Sequence, residues 1–150
     1  MSETYISAEL RRLVVSRAEG ICEYCLLAEV DSYFNFELDH IVGEKHGGAT
    51  IQENLAYVCT ACNRAKGSDV GSIDWESGNF VRFFNPRLDQ WFDHFRLAPG
   101  MHIEPLTPIG KVTVAILRFN GWKRVVERRL LARVNRFPSA AATRRIEFHR

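Results

Sequence analysis

The sequence predicts an α+β protein: a small strand–loop–strand–helix module clamped by four cysteines, with flanking helices and a C-terminal α/β extension. Two observations carry this expectation. The first is the cysteine spacing, Cys22-x-x-Cys25 and Cys59-x-x-Cys62, with 33 residues between the pairs. One C-x-x-C pair is a weak signal, whereas two supply the closed set of thiolates that a tetrahedral structural zinc site needs. The interval exceeds the roughly 15–20 residues of a simple zinc ribbon, so a module must sit inside the clamp. The second is the patterning of that interval, which reads as two short strands around a glycine-rich loop, followed by a short helix.

The elements follow in chain order. Ser7 is placed to cap a helix over about 8–19, with Glu9 in its first turn and Gly20 at its end. Leu10, Leu13, Val14 and Arg17 share one face of it, which predicts packing against the zinc module. Phe34, Phe36 and Leu38 alternate with Asn35, Glu37 and Asp39, the period of a half-buried strand. Gly43, Gly47 and Gly48 mark residues 43–50 as a loop. Leu55-Ala56-Tyr57-Val58 predicts a second strand, and Thr60 to Lys66 a helix closed by Gly67. Further on, Asn79 to Phe84 reads as a strand and Trp91 to Phe95 as aromatic packing. Thr107-Pro108 opens a helix to about Phe119, Gly121 breaks it, and a last helix runs from about Trp122 to Arg136. Residues 138–150 are the candidate mobile tail. No repeat or low-complexity linker divides the chain. Its 150 residues read as one domain, with the core module at about 20–68 and a basic helical extension at about 105–137.

Composition narrows the class. A hydrophobic fraction of 46% with 11% aromatics describes a globular chain, not a disordered one. No apolar run reaches the ~18 residues of a membrane helix, and Met1 to Tyr5 lacks a signal-peptide pattern. A reducing cytoplasm is the expected compartment, where such cysteines hold zinc in preference to forming disulfides. The net charge of +2 hides an asymmetry: residues 111–150 hold eleven Lys/Arg against Glu127 and Glu147, a local +9. Residues 1–110 carry −7. Such segregation points to a nucleic-acid contact, and the competing reading is a solvated face with a loose tail.

Between and after the knuckles lie L-D-H-I-V at 38–42, H-G-G at 46–48, E-N-L at 53–55 and C-x-x-C-N-R-A-K-G at 59–67. In this order they resemble the HNH endonucleases, the zinc-knuckle branch of the ββα-metal nucleases, strongly over about 20–68. The family pattern is an acidic residue, a His, a central Asn and a final His or Asn. Asp39, His40, Asn54 and Asn63 take those places, so the last letter here is Asn. The resemblance implies a metal-dependent DNA endonuclease with His40 as general base for water. His40 suits that task because its ordinary pKa lies near neutrality. Asp39 and Asn63 would hold one divalent ion, and their oxygens favour Mg²⁺ or Mn²⁺ over Zn²⁺. Asn54 would fix the loop and orient His40. Neighbours on a regular strand point to opposite faces, so Asp39 and His40 cannot both face one metal without a bend or bulge.

Lys66, one turn after Asn63, is a candidate phosphate contact, and His46 a candidate phosphate or metal contact. In the last helix, Arg128, Arg129 and Arg133 are expected to grip the DNA backbone, opposite an apolar set of Trp122, Val125, Val126, Leu130 and Val134. Each assignment has a plainer counterpart: His40 as a structural histidine, Asn54 as a turn cap, Asn63 as a helix residue and His46 as an exposed loop residue. His94, His102 and His149 read as structural or exposed. The rival function is a zinc-stabilised nucleic-acid-binding module without catalysis. A RING-type interaction domain fits poorly, because it needs eight ligands for two zinc ions.

Overall fold

The structure, a computed structural model, describes residues 4–147. It is α+β, with three separate two-stranded antiparallel sheets and six α-helices among the described residues. Helix α1 spans Ala8–Ala18, with Ser7 Oγ accepting from Leu10 N as its cap. Glu19 in the left-handed region and then Gly20 end it. Val14 and Ala18 are its buried residues, while Leu13 stays partly exposed. Arg17 reaches from this helix to the carbonyl oxygens of Gln52 and Leu55, fastening α1 to the module.

Strands β1 (Glu37–His40) and β2 (Leu55–Val58) form the module's hairpin, with Asp39 opposite Ala56 and His40 opposite Leu55. Every residue of β2 is buried. The first strand is shorter than its alternation predicts. Phe34 lies outside it and is exposed, Phe36 is buried, and inside the strand the buried position is Asp39. Helix α2 (Thr60–Lys66) follows the second knuckle and ends at Gly67, in agreement with the sequence.

Beyond the module, β3 (Gly71–Asp74) and β4 (Asn79–Arg82) make a hairpin of which only β4 is legible in the sequence. Helix α3 (Trp91–His94), β5 (Phe95–Leu97), β6 (Ile103–Pro105) and α4 (Pro108–Ile116) complete a second cluster. Phe95 is its hub, with ring centroids 5.0–5.6 Å from Trp91, Phe84 and Phe119. Gly110 is required in α4, because a Cβ there would meet His94 O at 2.2 Å. Trp91 Nε1 donates to Tyr24 O, and Arg87 binds Leu55 O and the Glu23 carboxylate. These bonds join the extension to the zinc module. One core runs through both.

The last two helices depart from expectation. Helix α5 spans Trp122–Arg133 and buries Val125 and Arg128. Its apolar set does not turn inward: Trp122, Val126, Leu130 and Val134 are all exposed, Trp122 at 72%. The guanidinium groups of Arg124 and Arg128 find carbonyl and thiol acceptors inside, and those bonds decide which face is buried. The predicted mobile tail is instead helical through most of its described length. Helix α6 (Ala140–Ile146) is capped by Ser139, and Ala141 and Ala142 are buried. Arg144 and Arg145 pair with Glu19, and Arg145 also bonds the carbonyls of Arg17 and Ala18. His149 lies outside the described residues.

Candidate active site

The four cysteines come together as the spacing requires. Leu26 in the left-handed region turns the first knuckle, and Cys22 N donates to Leu27 O. In the second knuckle Cys59 caps α2, its Sγ accepting from Cys62 N at 3.5 Å. All four are buried free thiols, and their Sγ atoms lie within 4.8 Å of one another. Tetrahedral Zn–S bonds of about 2.3 Å place sulfurs about 3.8 Å apart, and Cys25 and Cys59 are at 3.6 Å. Burial pushes the Cys22 and Cys62 thiols well above the usual cysteine range. Hydrogen bonds from the neighbouring thiols pull Cys25 down instead. Four thiolates held this close together need a cation to balance their charge. Arg124 was not singled out in the sequence, yet its Nη2 lies 3.1 Å from Cys62 Sγ. Its Nη1 donates to Leu117 O and Arg118 O, which fixes the guanidinium in place.

The second cluster sits where β1 meets α2. The ladder is regular, and Asp39 and His40 lie against different elements. Glu37 and Asp39, two apart on the strand, both face α2. Glu37 Oε2 accepts from Asn63 Nδ2 at 2.6 Å, and Asp39 Oδ2 lies 2.9 Å from Lys66 Nζ. That contact is a short charge-assisted pair, and it is the polar contact that holds the buried Oδ2. Burial raises the Asp39 carboxyl pKa, against the pull of the Lys66 ammonium. The Asn63 amide is oriented by Glu37: a carboxylate can only accept, so Nδ2 faces it and Oδ1 is left for another partner. A carboxylate and an oriented amide oxygen are the oxygen donors that suit a hard, oxygen-loving cation.

Lys66 does not stand at the surface as a phosphate contact would. It is 1% exposed, and its ammonium donates to His40 O at 3.1 Å while pairing with Asp39. The buried ammonium is tolerated because the Asp39 carboxylate and the His40 carbonyl both receive it.

On the other side of β1, His40 Nε2 lies 2.9 Å from Thr50 Oγ1 and 3.5 Å from Glu44 Oε1. The carboxylate favours a proton on Nε2, which leaves Nδ1 as the basic nitrogen. Asn54 bonds Val42 N, Val42 O and Ala49 O, each at 2.9 Å, closing the 43–50 loop at both ends. A Cβ at Gly48 would come within 2.8 Å of the Asn54 amide and 1.8 Å of Val42 O, so this closure requires glycine. The loop-fixing role expected of Asn54 has a structural basis. Its direct bond to His40 does not: among the described residues Thr50 and Glu44 are the polar partners of the imidazole. His46 Nε2 donates to Ser68 O at 3.0 Å, tying the loop to the end of α2. Glu37 was detectable in the sequence as the residue two before Asp39. Thr50 and Glu44 carried no signal, because loop closure alone brings them to His40.

The basic C-terminal residues are largely engaged within the protein. Arg128 is 3% exposed and donates to Met101 O and Asn120 Oδ1, which removes it as a phosphate contact. Arg129 donates to Gly100 O from an exposed position, Arg136 pairs with Asp31, and Lys111 with Asp74 and Glu76. Arg133 is exposed. His94 is half-buried against Thr107 and Asp89, and His102 is exposed, as a structural and an exposed histidine would be. No described helix is long and apolar enough to cross a membrane.

The family model of the HNH endonucleases matches residues 22–69, which begin at the first zinc-knuckle cysteine and end just past α2. No curated protein matches the chain.

Proposed function

We propose that this protein is a metal-dependent DNA endonuclease, with a structural zinc in the Cys22, Cys25, Cys59, Cys62 cluster and a separate divalent ion at Asp39 and Asn63. The observation that carries the reading is the convergence of β1 and α2, where the buried Asp39 carboxylate and the Asn63 amide that Glu37 orients stand on facing elements. The match of residues 22–69 to the HNH endonucleases supports the reaction class.

In this reading His40 is the general base. Glu44 and Thr50 hold Nε2, and Nδ1 takes a proton from the water that attacks phosphorus. Thr4 donates to the other Glu44 oxygen at 2.6 Å, so the orienting carboxylate is itself held. Asn54 keeps the 43–50 loop closed, so Thr50 stays under the imidazole. Asp39 and Asn63 would hold Mg²⁺ or Mn²⁺, which when bound supplies charge neutralisation at the phosphate and the leaving oxygen. A cytoplasmic protein acting on DNA is the setting this implies.

One observation favours a second reading, a zinc-stabilised nucleic-acid-binding module without catalysis. The Lys66 ammonium already sits 2.9 Å from Asp39 Oδ2, where it neutralises the carboxylate without any metal. Plasmid nicking in Mg²⁺ or Mn²⁺ decides between them. The natural chain is expected to nick, and His40→Ala to retain DNA binding while losing about 10²- to 10⁴-fold in rate. Asp39→Ala is expected to require more Mn²⁺ for the same activity. His40→Ala nicking at the natural rate would overturn the mechanism.

A further inference from the structure

We infer that the cleft between the first knuckle loop, α2 and α5 is a subsite for an unpaired nucleobase of the substrate strand. This rests on the nuclease or nucleic-acid-binding reading above and adds the class of substrate: a strand with unpaired bases near the point of contact. The cleft has a volume of about 330 Å³, within the roughly 300–1,000 Å³ of small-ligand pockets. The Cys25 and Cys59 side of the zinc clamp lines it, so part of its wall is held by the metal cluster.

Two kinds of residue stand at this cleft. Tyr33 is 95% exposed and Phe34 59% exposed, and their rings meet edge to face at 5.1 Å. Large aromatic side chains so uncovered, side by side in a loop, give little to folding and offer flat faces to a planar partner. The cations Arg64 and Lys123 are the second kind, and both are exposed. Arg64 makes no ion pair or hydrogen bond among the described residues. Arg124 and Arg128 also border the cleft, but their guanidinium groups are fixed inside. Glu127 is the one carboxylate in the lining, so the cleft favours an anion. Lys123 lies over the Trp122 ring at 5.6 Å, so Arg64 is the cation without a partner among the described residues. An aromatic face beside such a cation is the arrangement that binds single strands, the base stacked and the phosphate paired.

The position fits the proposed cleavage point. Arg64 follows Asn63 in α2, and Phe34 precedes Asp39 by five residues, at most about 18 Å of extended chain. A strand lying on the β1–α2 face can therefore place a neighbouring nucleotide in the cleft. A base paired within a duplex cannot stack on a protein ring without leaving its partner. The subsite thus selects substrates with unpaired or easily extruded bases.

The test is fluorescence anisotropy of a labelled DNA single strand of about twenty nucleotides and of the same sequence as a blunt duplex, with no divalent ion added. Tyr33→Ala with Phe34→Ala is expected to weaken single-strand binding roughly 5- to 100-fold per base unstacked. Duplex binding should hold within about twofold. Leucine at both positions, which keeps apolar bulk and removes the rings, is expected to behave like alanine. Arg64→Gln should lower the single-strand salt slope by about 0.7. Unchanged single-strand affinity in the aromatic variants overturns the subsite, and so does an equal loss on the duplex. If the aromatic variants bind like the natural chain and plasmid is still cut, the subsite alone falls. If the natural chain binds neither strand form, this inference and the proposed function fall together. An RNA strand of the same sequence, weakened equally, supports unpaired-base stacking over a DNA-specific contact.

Discussion

The four-cysteine module and the C-terminal extension use their polar residues in opposite ways. In the module, Asp39, Asn63, Glu37 and His40 gather on both sides of one strand, and the buried Asp39 carboxylate pairs with the Lys66 ammonium. In the extension, Arg128, Arg129, Arg136, Arg144 and Arg145 each find a carbonyl or carboxylate within the protein. The region with the higher formal charge is the one whose charges are more completely engaged. Charge counted along a sequence is thus a poor guide to the field a partner meets. Chemistry is to be sought where ionisable and amide side chains converge on one another.

The largest expected effect lies in the module. Removing zinc, or changing Cys59→Ser, should unfold it, because apparent binding energies of about 10–16 kcal/mol for structural zinc are folding energy. Metal measurement on purified protein should give about one zinc per chain, followed by loss of structure under chelation in circular dichroism. Four free thiols in a metal-free chain of unchanged fold would break the distinction between the regions at its root.

Next comes a test of whether the extension's cations are structural. Arg128→Ala removes the donor to Met101 O and one of the two donors to Asn120 Oδ1, which keeps Ile103 N, so a loss of about 1–3 kcal/mol in denaturant unfolding is expected. Wild-type stability in this variant would mean that the bonds contribute nothing and that the side chain is available to a partner.

Arg124 joins the two regions. It sits on α5 but donates toward Cys62 Sγ, so Arg124→Gln should weaken zinc retention about 10- to 100-fold. Zinc transfer to a colorimetric chelator measures this, with Arg129→Gln as the control expected to transfer at the natural rate. The smallest effect belongs to Arg133, which is exposed: Arg133→Gln should change stability by no more than about 0.5 kcal/mol. Any consequence should appear only in the salt dependence of DNA binding. A large stability loss at Arg133 would show that exposure fails to separate structural from solvent-facing cations in α5.

Local chemistry accounts for the features readable from the chain. The Ser7 cap, the C-x-x-C spacings, the 43–50 glycine loop, β2 and the Thr60–Lys66 helix closed by Gly67 depend on residues close in sequence, and all appear as expected. So does the opposition of Asp39 and His40, which follows from the two-residue period of a strand. Contacts distant in sequence account for the rest. Lys66 is buried because β1 brings Asp39 and the His40 carbonyl to it across 26 residues or more. Asn54 holds the loop while Thr50 meets the imidazole, since closing that loop leaves no amide pointing at His40. The apolar stripe of α5 faces outward because Arg124 and Arg128 find buried acceptors on Cys62, Met101 and Asn120, which helical periodicity cannot reveal. Helix α6 is docked because Ala141 and Ala142 are buried in the core and Glu19, more than a hundred residues earlier, receives Arg144 and Arg145. Hydrophobic period and cap chemistry are properties of a segment, whereas the burial of a charge depends on whether a distant partner can satisfy it.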